Sequence, residues 1–298
     1  MNIKFDSYIT PVYRFIGEVA AYLRQVLAQF SYAILSQMSI GAGVASARDA
    51  RPKISRADVS LGIVCPMGNE VDSAARLVQQ ALDGCRAFKA VEFYAVLDRA
   101  SHDGTRELLA NYAISEPRLH VVWAPENRCV VDAYVRGYKE ALAAGHDYIL
   151  EMDAGFSHRP QDFPQFFDAM EQGYDCVFGS RFMPGGIMVN AAFRRRLFSR
   201  GGSWLTNVLA GTNLFDMTSG FELFSRRSLQ LVLDRGIQSR AHFFQTEIKF
   251  YCRDLKITEV PITYSTDGVT VSNDALRDAF RNLWRLCKLR WRGDPSAR

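Results

Sequence analysis

Between Leu61 and Glu151 short apolar runs alternate with amphipathic stretches, and few folds accept that order. The runs at 61–65, 91–97, 118–123 and 148–152 have strand length, and the intervening stretches at 69–84, 104–112 and 129–144 carry helical spacing. Strands that are apolar on both faces and joined by helices make a parallel sheet covered on both sides. A helix at 161–172 and a strand at 174–179 extend the pattern. It then loosens into a helix near 193–209, a strand near 219–224, helices near 226–234 and 242–252, and a strand near 257–264. An apolar share of 48% over 298 residues supplies a core large enough for such an α/β sheet.

Both ends read differently. Thr10-Pro11 starts a helix, along which Ile16, Ala20, Leu23, Leu27, Phe30 and Ile34 form an apolar stripe that suits packing on the domain or a partner as well as membrane contact. The run from Gln25 to Ala45 is uncharged, but Gln25, Gln29, Ser31, Ser36, Gln37 and Ser39 argue against a spanning helix. Arg14, Glu18 and Arg24 interrupt any secretory signal. At the other end, Leu276, Phe280, Leu283, Trp284, Cys287 and Trp291 share one helical arc beside a row of Arg277, Arg281, Arg285, Lys288 and Arg292. A basic amphipathic helix with Trp at its apolar edge suits an anionic membrane surface, or else docks on the domain with a solvated basic edge. The expected organisation is an N-terminal helix and linker at 1–58, a main α/β domain at 59–273 and the basic helix at 274–298. A formal charge of +4 argues against a nucleic-acid partner. The six scattered cysteines show no zinc spacing and read as reduced thiols in a cytosolic setting.

Chemistry concentrates where strands end. The stretch "YILEMDAGFSHRP" closes an apolar strand on Glu151 and Asp153, and a carboxylate at that end of a central strand faces a ligand cleft. Together with "IVCPMGNEVDSAARLV" and "AVLDRASHDGTRELL", in this order and spacing, it resembles the inverting family 2 glycosyltransferases, most closely their dolichol- or polyprenol-phosphate mannose synthase branch. The resemblance continues through "FGSRFMPGG", "DMTSGFELF", "HFFQTEIKF" and "ITEVPITY", covering roughly Gly62 to Asn273. It implies a GT-A (Rossmann-like) α/β domain with a mostly parallel sheet, which moves a sugar from a nucleoside-diphosphate donor with inversion.

Carried over position by position, the resemblance assigns Pro66, Gly68, Glu70, Val96, Asp98, Asp153 and Ala154 to the nucleotide sugar. Asp98 also suits a plain turn cap, and Asp103-Gly104-Thr105 reads as a structural turn. Arg181, Arg195 and Ser199 match the acceptor-phosphate positions, with Arg195 and Ser199 four apart on one helix face. Asp153, Asp216 and Glu247 are the candidate catalytic carboxylates. The family's Asp-x-Asp pair holds Mg²⁺ or Mn²⁺ against the diphosphate, but here the second position is Gly155. Asp153 is then the expected ligand of a weaker site, with Glu151, Ser157 or His158 as possible helpers, and an Asp at 155 would tighten it if the loop has room. His158 alternatively reads as a hydrogen-bonded structural residue. Other departures are Met67-Gly68, Cys129-Val130-Val131, and Asp267 and Asn273 where the family has an Arg and a Lys that clasp the diphosphate.

These features imply sugar transfer to a polyprenyl phosphate by a peripheral enzyme on the cytoplasmic face of a membrane. A saccharide hydroxyl acceptor, with Glu247 or Asp216 as the base it would require, and a catalytically silent nucleotide-sugar or membrane-binding protein are the alternatives.

Overall fold

The computed structural model describes residues 53–190, 193–265 and 272–292, apart from the side chains at 193–195, 198 and 292. The N-terminal stripe, the linker up to residue 52 and Asp267 lie outside these residues. The described residues belong to one compact unit, Arg51–Arg298.

Seven strands form the main sheet: β1 (Ser60–Pro66), β2 (Ala90–Leu97), β3 (Leu119–Trp123), β4 (Tyr148–Glu151), β5 (Cys176–Ser180), β7 (Glu222–Ser225) and β8 (Ile257–Pro261). Their order is β3-β2-β1-β4-β7-β5-β8. The chain runs outward from β1 to β3, then returns to place β4 on the other side of β1. That reversal opens a crevice at the carboxyl ends of β1 and β4, where open α/β sheets bind ligands.

All pairings are parallel except those of β7, which runs antiparallel between β4 and β5. The alternation of strand and helix does not reach β7, which follows the loop 211–221 and turns at once into the next helix, capped by the Ser225 hydroxyl. The run expected near 257–264 splits at Ile262 into β8 and a short β9 (Thr263–Ser265), and β9 pairs with β6 (Ile187–Val189) in a second, two-stranded sheet.

Helices α1 (Ala74–Gly84), α2 (Thr105–Ser115), α3 (Val130–Ala143) and α4 (Phe163–Glu171) cover the parallel half, and α5 (Phe193–Ala210), α6 (Arg226–Arg235), α7 (Phe244–Cys252) and α8 (Asn273–Arg292) complete the fold. Strand alternation divides the core. Leu61, Ile63, Phe93, Ala95 and Leu150 point to one face with Leu77, Phe163 and Phe167, while Val64, Tyr94 and Ile149 point to the other with Tyr134, Tyr138 and Phe244. A Cβ at Gly137 would stand 2.3 Å from Val64 Cγ1 and 3.0 Å from Val96 Cγ2, so glycine allows α3 to lie close on β1 and β2.

The C-terminal helix α8 docks on this body. Leu283, Leu286 and Cys287 are buried, and Arg290 Nη1 donates to the Val208 carbonyl at 2.8 Å. Its apolar arc is therefore divided, because Leu276, Phe280, Trp284 and Trp291 remain exposed. Among the described residues no helix is long and apolar enough to cross a membrane.

Candidate active site

The loops after β1 and β2 clamp one another. Asn69, in the left-handed region at φ 60°, donates from its side chain to the Ala100 carbonyl and accepts from the His102 amide. The Thr105 hydroxyl accepts from the Glu70 amide at 2.8 Å and is itself held by Asp103. The Asp103-Gly104-Thr105 turn is thus structural, and its effect is to fix the backbone of Glu70. The first loop presents half-buried Pro66 and exposed Gly68, and a Cβ at Gly68 would meet open space. Val96 contributes no side chain here, being packed with Ala124 and Ala133, and its carbonyl accepts from the Met67 amide. Asp98 accepts from the Ala100 amide at 2.8 Å, so it does cap its turn.

Past β4 the chain makes a mirror-image turn from Ala154 to Ser157, closed by the Ser157 amide on the Ala154 carbonyl, with Gly155 at φ 64° and Phe156 at φ 58°. Asp153 is fixed from two sides. Tyr134 on α3 donates to its Oδ1 at 2.5 Å, and His158 Nδ1 accepts from its amide at 2.9 Å. That bond puts the ring proton of neutral His158 on Nε2, which lies 3.7 Å from Asp153 Oδ2 and has no hydrogen-bond partner among the described residues. Burial, opposed by the charge of Asp153, lowers the His158 pKa, and the ring stacks on Phe221 at 4.7 Å. His158 therefore acts on the backbone of Asp153. The Asp153 side chain keeps 40% exposure toward the crevice.

Glu151 turns the other way. It is fully buried, accepting from Tyr138 and Gln245, and lies opposite Glu222 across the β4–β7 ladder. Glu222 pairs with the buried Lys249, whose ammonium also donates to the Ser219 carbonyl at 2.6 Å. Burial and then the charge of Glu222 push the Glu151 carboxyl well above its usual range. Glu151 thus supports the floor of the site and supplies no oxygen to the crevice, which removes it as a helper in metal binding.

The remaining candidate carboxylates are committed to partners. Asp216, fully buried, takes a bidentate pair from Arg181 Nε and Nη2 at 2.7 and 2.8 Å. Burial raises its pKa, but the guanidinium outweighs that effect and leaves it below the ordinary carboxylate value. Arg181, 7% exposed, also donates to the Thr218 hydroxyl. Glu247 accepts from the amides of Gln238 and Ser239 at 3.0 and 2.9 Å, from Tyr251 at 2.8 Å, and from Arg285. It anchors α8 to α7. Ser199 lies half-buried on α5, and Arg195 occupies the same helix with its side chain outside the described residues.

Sequence reasoning missed Tyr134 and Tyr138, which hold Asp153 and Glu151. Their spacing of four on an otherwise apolar helix face was the available signal. It also missed the buried Glu222–Lys249 pair.

A hard divalent cation fits this arrangement only in company with a ligand. Among the described residues no group of three or more His, Cys, Asp or Glu could hold an ion alone. An exposed carboxylate beside a crevice suits Mg²⁺ or Mn²⁺ shared with phosphate oxygens and water. A Cβ built on Gly155 would meet Glu70 Oε1 at 2.9 Å and Oε2 at 3.2 Å. A carboxylate therefore already stands where a side chain at 155 would begin, and a second is accommodated only if the flexible end of Glu70 moves aside.

Comparison with known proteins supplies the relatives. The glycosyl transferase family 2 profile matches residues 63–233. An undecaprenyl-phosphate mannosyltransferase of Micrococcus luteus is 32% identical over 67% of this chain and 82% of its own length. A polyprenol monophosphomannose synthase of Mycolicibacterium smegmatis is 28% identical over 70% of this chain and 79% of its own. In fold, the chain is similar to glucosyl-3-phosphoglycerate synthase from Mycobacterium tuberculosis. One structure, in complex with Mn²⁺, UDP and glucosyl-3-phosphoglycerate, superposes with a TM-score of 0.56 at 15% identity, covering 84% of this chain and 87% of that one. Another, with Mg²⁺ and UDP, gives 0.54 at 17% identity over 78% and 81%.

Proposed function

The chain belongs to glycosyl transferase family 2, and we propose that it transfers a sugar, with inversion, from a nucleoside-diphosphate donor to a polyprenyl phosphate at the cytoplasmic face of a membrane. The choice of acceptor rests on one observation: both carboxylates that could serve as a base are already engaged. Asp216 is locked to Arg181 and Glu247 is saturated by four donors. A saccharide hydroxyl must give up its proton as it attacks, whereas a phosphate monoester is already anionic at neutral pH and needs no base. The names of the relatives, an undecaprenyl-phosphate mannosyltransferase and a polyprenol monophosphomannose synthase, support the same class of acceptor.

In this reading Pro66, Gly68 and Asp98 line the nucleoside, and the Asp153–Ala154 loop faces the diphosphate. Mg²⁺ or Mn²⁺, when bound, offsets charge gathering on the leaving diphosphate. Tyr134 and His158 hold the carboxylate and backbone of Asp153 in place for that contact. An acceptor phosphate oxygen forms the new bond to the anomeric carbon from the face opposite the diphosphate, whose bond to that carbon breaks. Arg195 and Ser199 on α5 position the acceptor phosphate together with Arg181, whose Nε and Nη2 are held by Asp216 and Thr218. The exposed Leu276, Phe280, Trp284 and Trp291 of α8 enter the membrane interface, while Arg277 and Arg281 meet anionic headgroups.

The test is transfer from GDP- and UDP-sugars to polyprenyl phosphate or to a saccharide, with the anomeric configuration of the product read by NMR. Glu247→Gln should lower thermal stability yet retain turnover onto the phosphate. Transfer to a saccharide that is abolished in folded Glu247→Gln would make the hydroxyl reading correct.

A further inference from the structure

Arg181 follows directly on β5, and the carboxylate that grips it is itself held in place. Asp216 and Thr218 take its Nε and Nη2, which leaves Nη1 without a hydrogen bond among the described residues. That end is free to reach a phosphate oxygen. Burial alone would lower the Arg181 pKa, but Asp216, then Tyr264 and Asp153, raise it above the ordinary value, so the cation stands near the Asp153 carboxylate. Asp216 belongs to the irregular loop 211–221, which is supported from two sides. On one side α5 holds it: Asn207 accepts from the Leu214 amide at 3.2 Å and donates to its carbonyl at 2.7 Å, and the Ser203 hydroxyl accepts from the Met217 amide at 3.1 Å. On the other, the two oxygens of Glu259 on the edge strand β8 accept from the successive amides of Phe215 and Asp216, at 2.6 and 2.8 Å. Neither amide has another acceptor among the described residues. The register sets Glu259 opposite Phe178, beside the strand that delivers Arg181.

We infer that Glu259 is a positioning residue for the acceptor phosphate: by holding the backbone of Asp216, it sets where the Asp216–Arg181 pair stands relative to Arg195 and Ser199 on α5. The inference rests on the polyprenyl-phosphate reading above. A carboxylate suits the task because it offers an acceptor to each of two neighbouring N–H groups. The bidentate geometry of the next link passes the position on, since a guanidinium paired through two nitrogens moves with its carboxylate. A carboxamide at 259 would turn an NH₂ group toward one of the two amide donors, and the Phe215–Asp216 backbone would have to move away.

The experiment is a double-mutant cycle on the full chain, read as affinity for undecaprenyl phosphate in detergent micelles. Undecaprenol measures the part of binding due to the lipid tail, and GDP and UDP report the donor side. Glu259→Gln should weaken undecaprenyl phosphate binding about 5-fold or more, the scale of one lost hydrogen bond, with undecaprenol and nucleotide affinities unchanged. Arg181→Lys, which gives up the bidentate fork, should weaken it as well, and the double variant should bind no more weakly than Arg181→Lys alone. That non-additivity is the signature of one residue acting through the other. Should the Gln variant not fold, Glu259→Asp keeps the charge but withdraws it from the two amides, and the same outcomes apply. Losses that simply multiply in the double variant, or a matching loss of nucleotide affinity, overturn the inference by making Glu259 a general support of the fold. Wild-type affinity in Glu259→Gln, with binding weakened in Arg181→Lys, overturns it too and leaves the acceptor reading standing. A wild type that binds undecaprenol as tightly as undecaprenyl phosphate overturns both.

Discussion

Asp153 shows how much a site depends on neighbours remote in sequence. Its carboxylate is oriented by a tyrosine nineteen positions upstream and its amide by a histidine five downstream. Tyr134→Phe removes one donor and keeps the ring that packs between Tyr138 and Phe244. Because Asp153 is 40% exposed, water can replace the phenol, and the loss of stability should be about 1 kcal/mol. Transfer should fall about 10–100-fold, as it does when a partner that orients a metal ligand is lost. Steady-state kinetics beside a denaturant titration checks this, and undiminished kcat/KM would show that Tyr134 is only structural. His158 illustrates the same point. A histidine after a strand end is legible in the sequence, but its Nδ1 bond to a backbone amide depends on a turn containing two left-handed residues, which periodicity does not report.

Helix α8 is the element whose two faces do different work. The helical wheel identifies an apolar arc and a basic row, but docking divides both. Leu283 and Cys287 go inward with Leu286, and Arg285 leaves the basic edge to pair with Glu247. Arg285 is therefore unsuited to a test of membrane binding, because its removal strips a buried carboxylate of one donor. The variant that isolates the outer face replaces Phe280 and Trp284 by Gln. Both are exposed, at 64% and 56%, so thermal stability should hold while sedimentation with anionic vesicles falls. Replacing Arg277 and Arg281 by Gln should reduce binding more at low salt than at high, each charge near an anionic surface being worth about 1 kcal/mol. Vesicle binding unchanged in both variants would remove α8 from the membrane.

Across the whole molecule, the buried carboxyls of the main sheet tie stability to pH. Burial raises the Glu259 pKa from 4.5 to about 7, against the pull of the Phe215 and Asp216 amides that it accepts. A group raised in this way holds its proton more tightly when folded. Its contribution is complete below the unfolded value and disappears as pH climbs through about 7, a difference on the order of 3 kcal/mol. Glu151 and Glu222 act in the same direction. Buried His146 and His158, lowered by burial, act in the opposite one, losing stability as pH falls below the usual imidazole value. The measurement is therefore the difference in Tm between wild type and Glu259→Gln. The wild-type advantage should shrink from pH 5 to pH 8, and a difference independent of pH would show that Glu259 does not titrate there.

The strands, the covering helices and the strand-end location of the site were legible because burial on two faces leaves an unbroken apolar run and burial on one face leaves a 3.6-residue period. Local spacing also exposed the Asp103-Gly104-Thr105 turn. The direction of β7, the inward turn of Glu151 and the engagement of Asp216 and Glu247 were not legible, because each depends on which groups the finished sheet brings opposite one another. A carboxylate within an apolar run looks alike whether it meets a ligand or a buried lysine. Its role is set by the partner that desolvation forces it to find, and that partner, Arg181 for Asp216 or Arg285 for Glu247, is chosen by packing between segments distant in the chain.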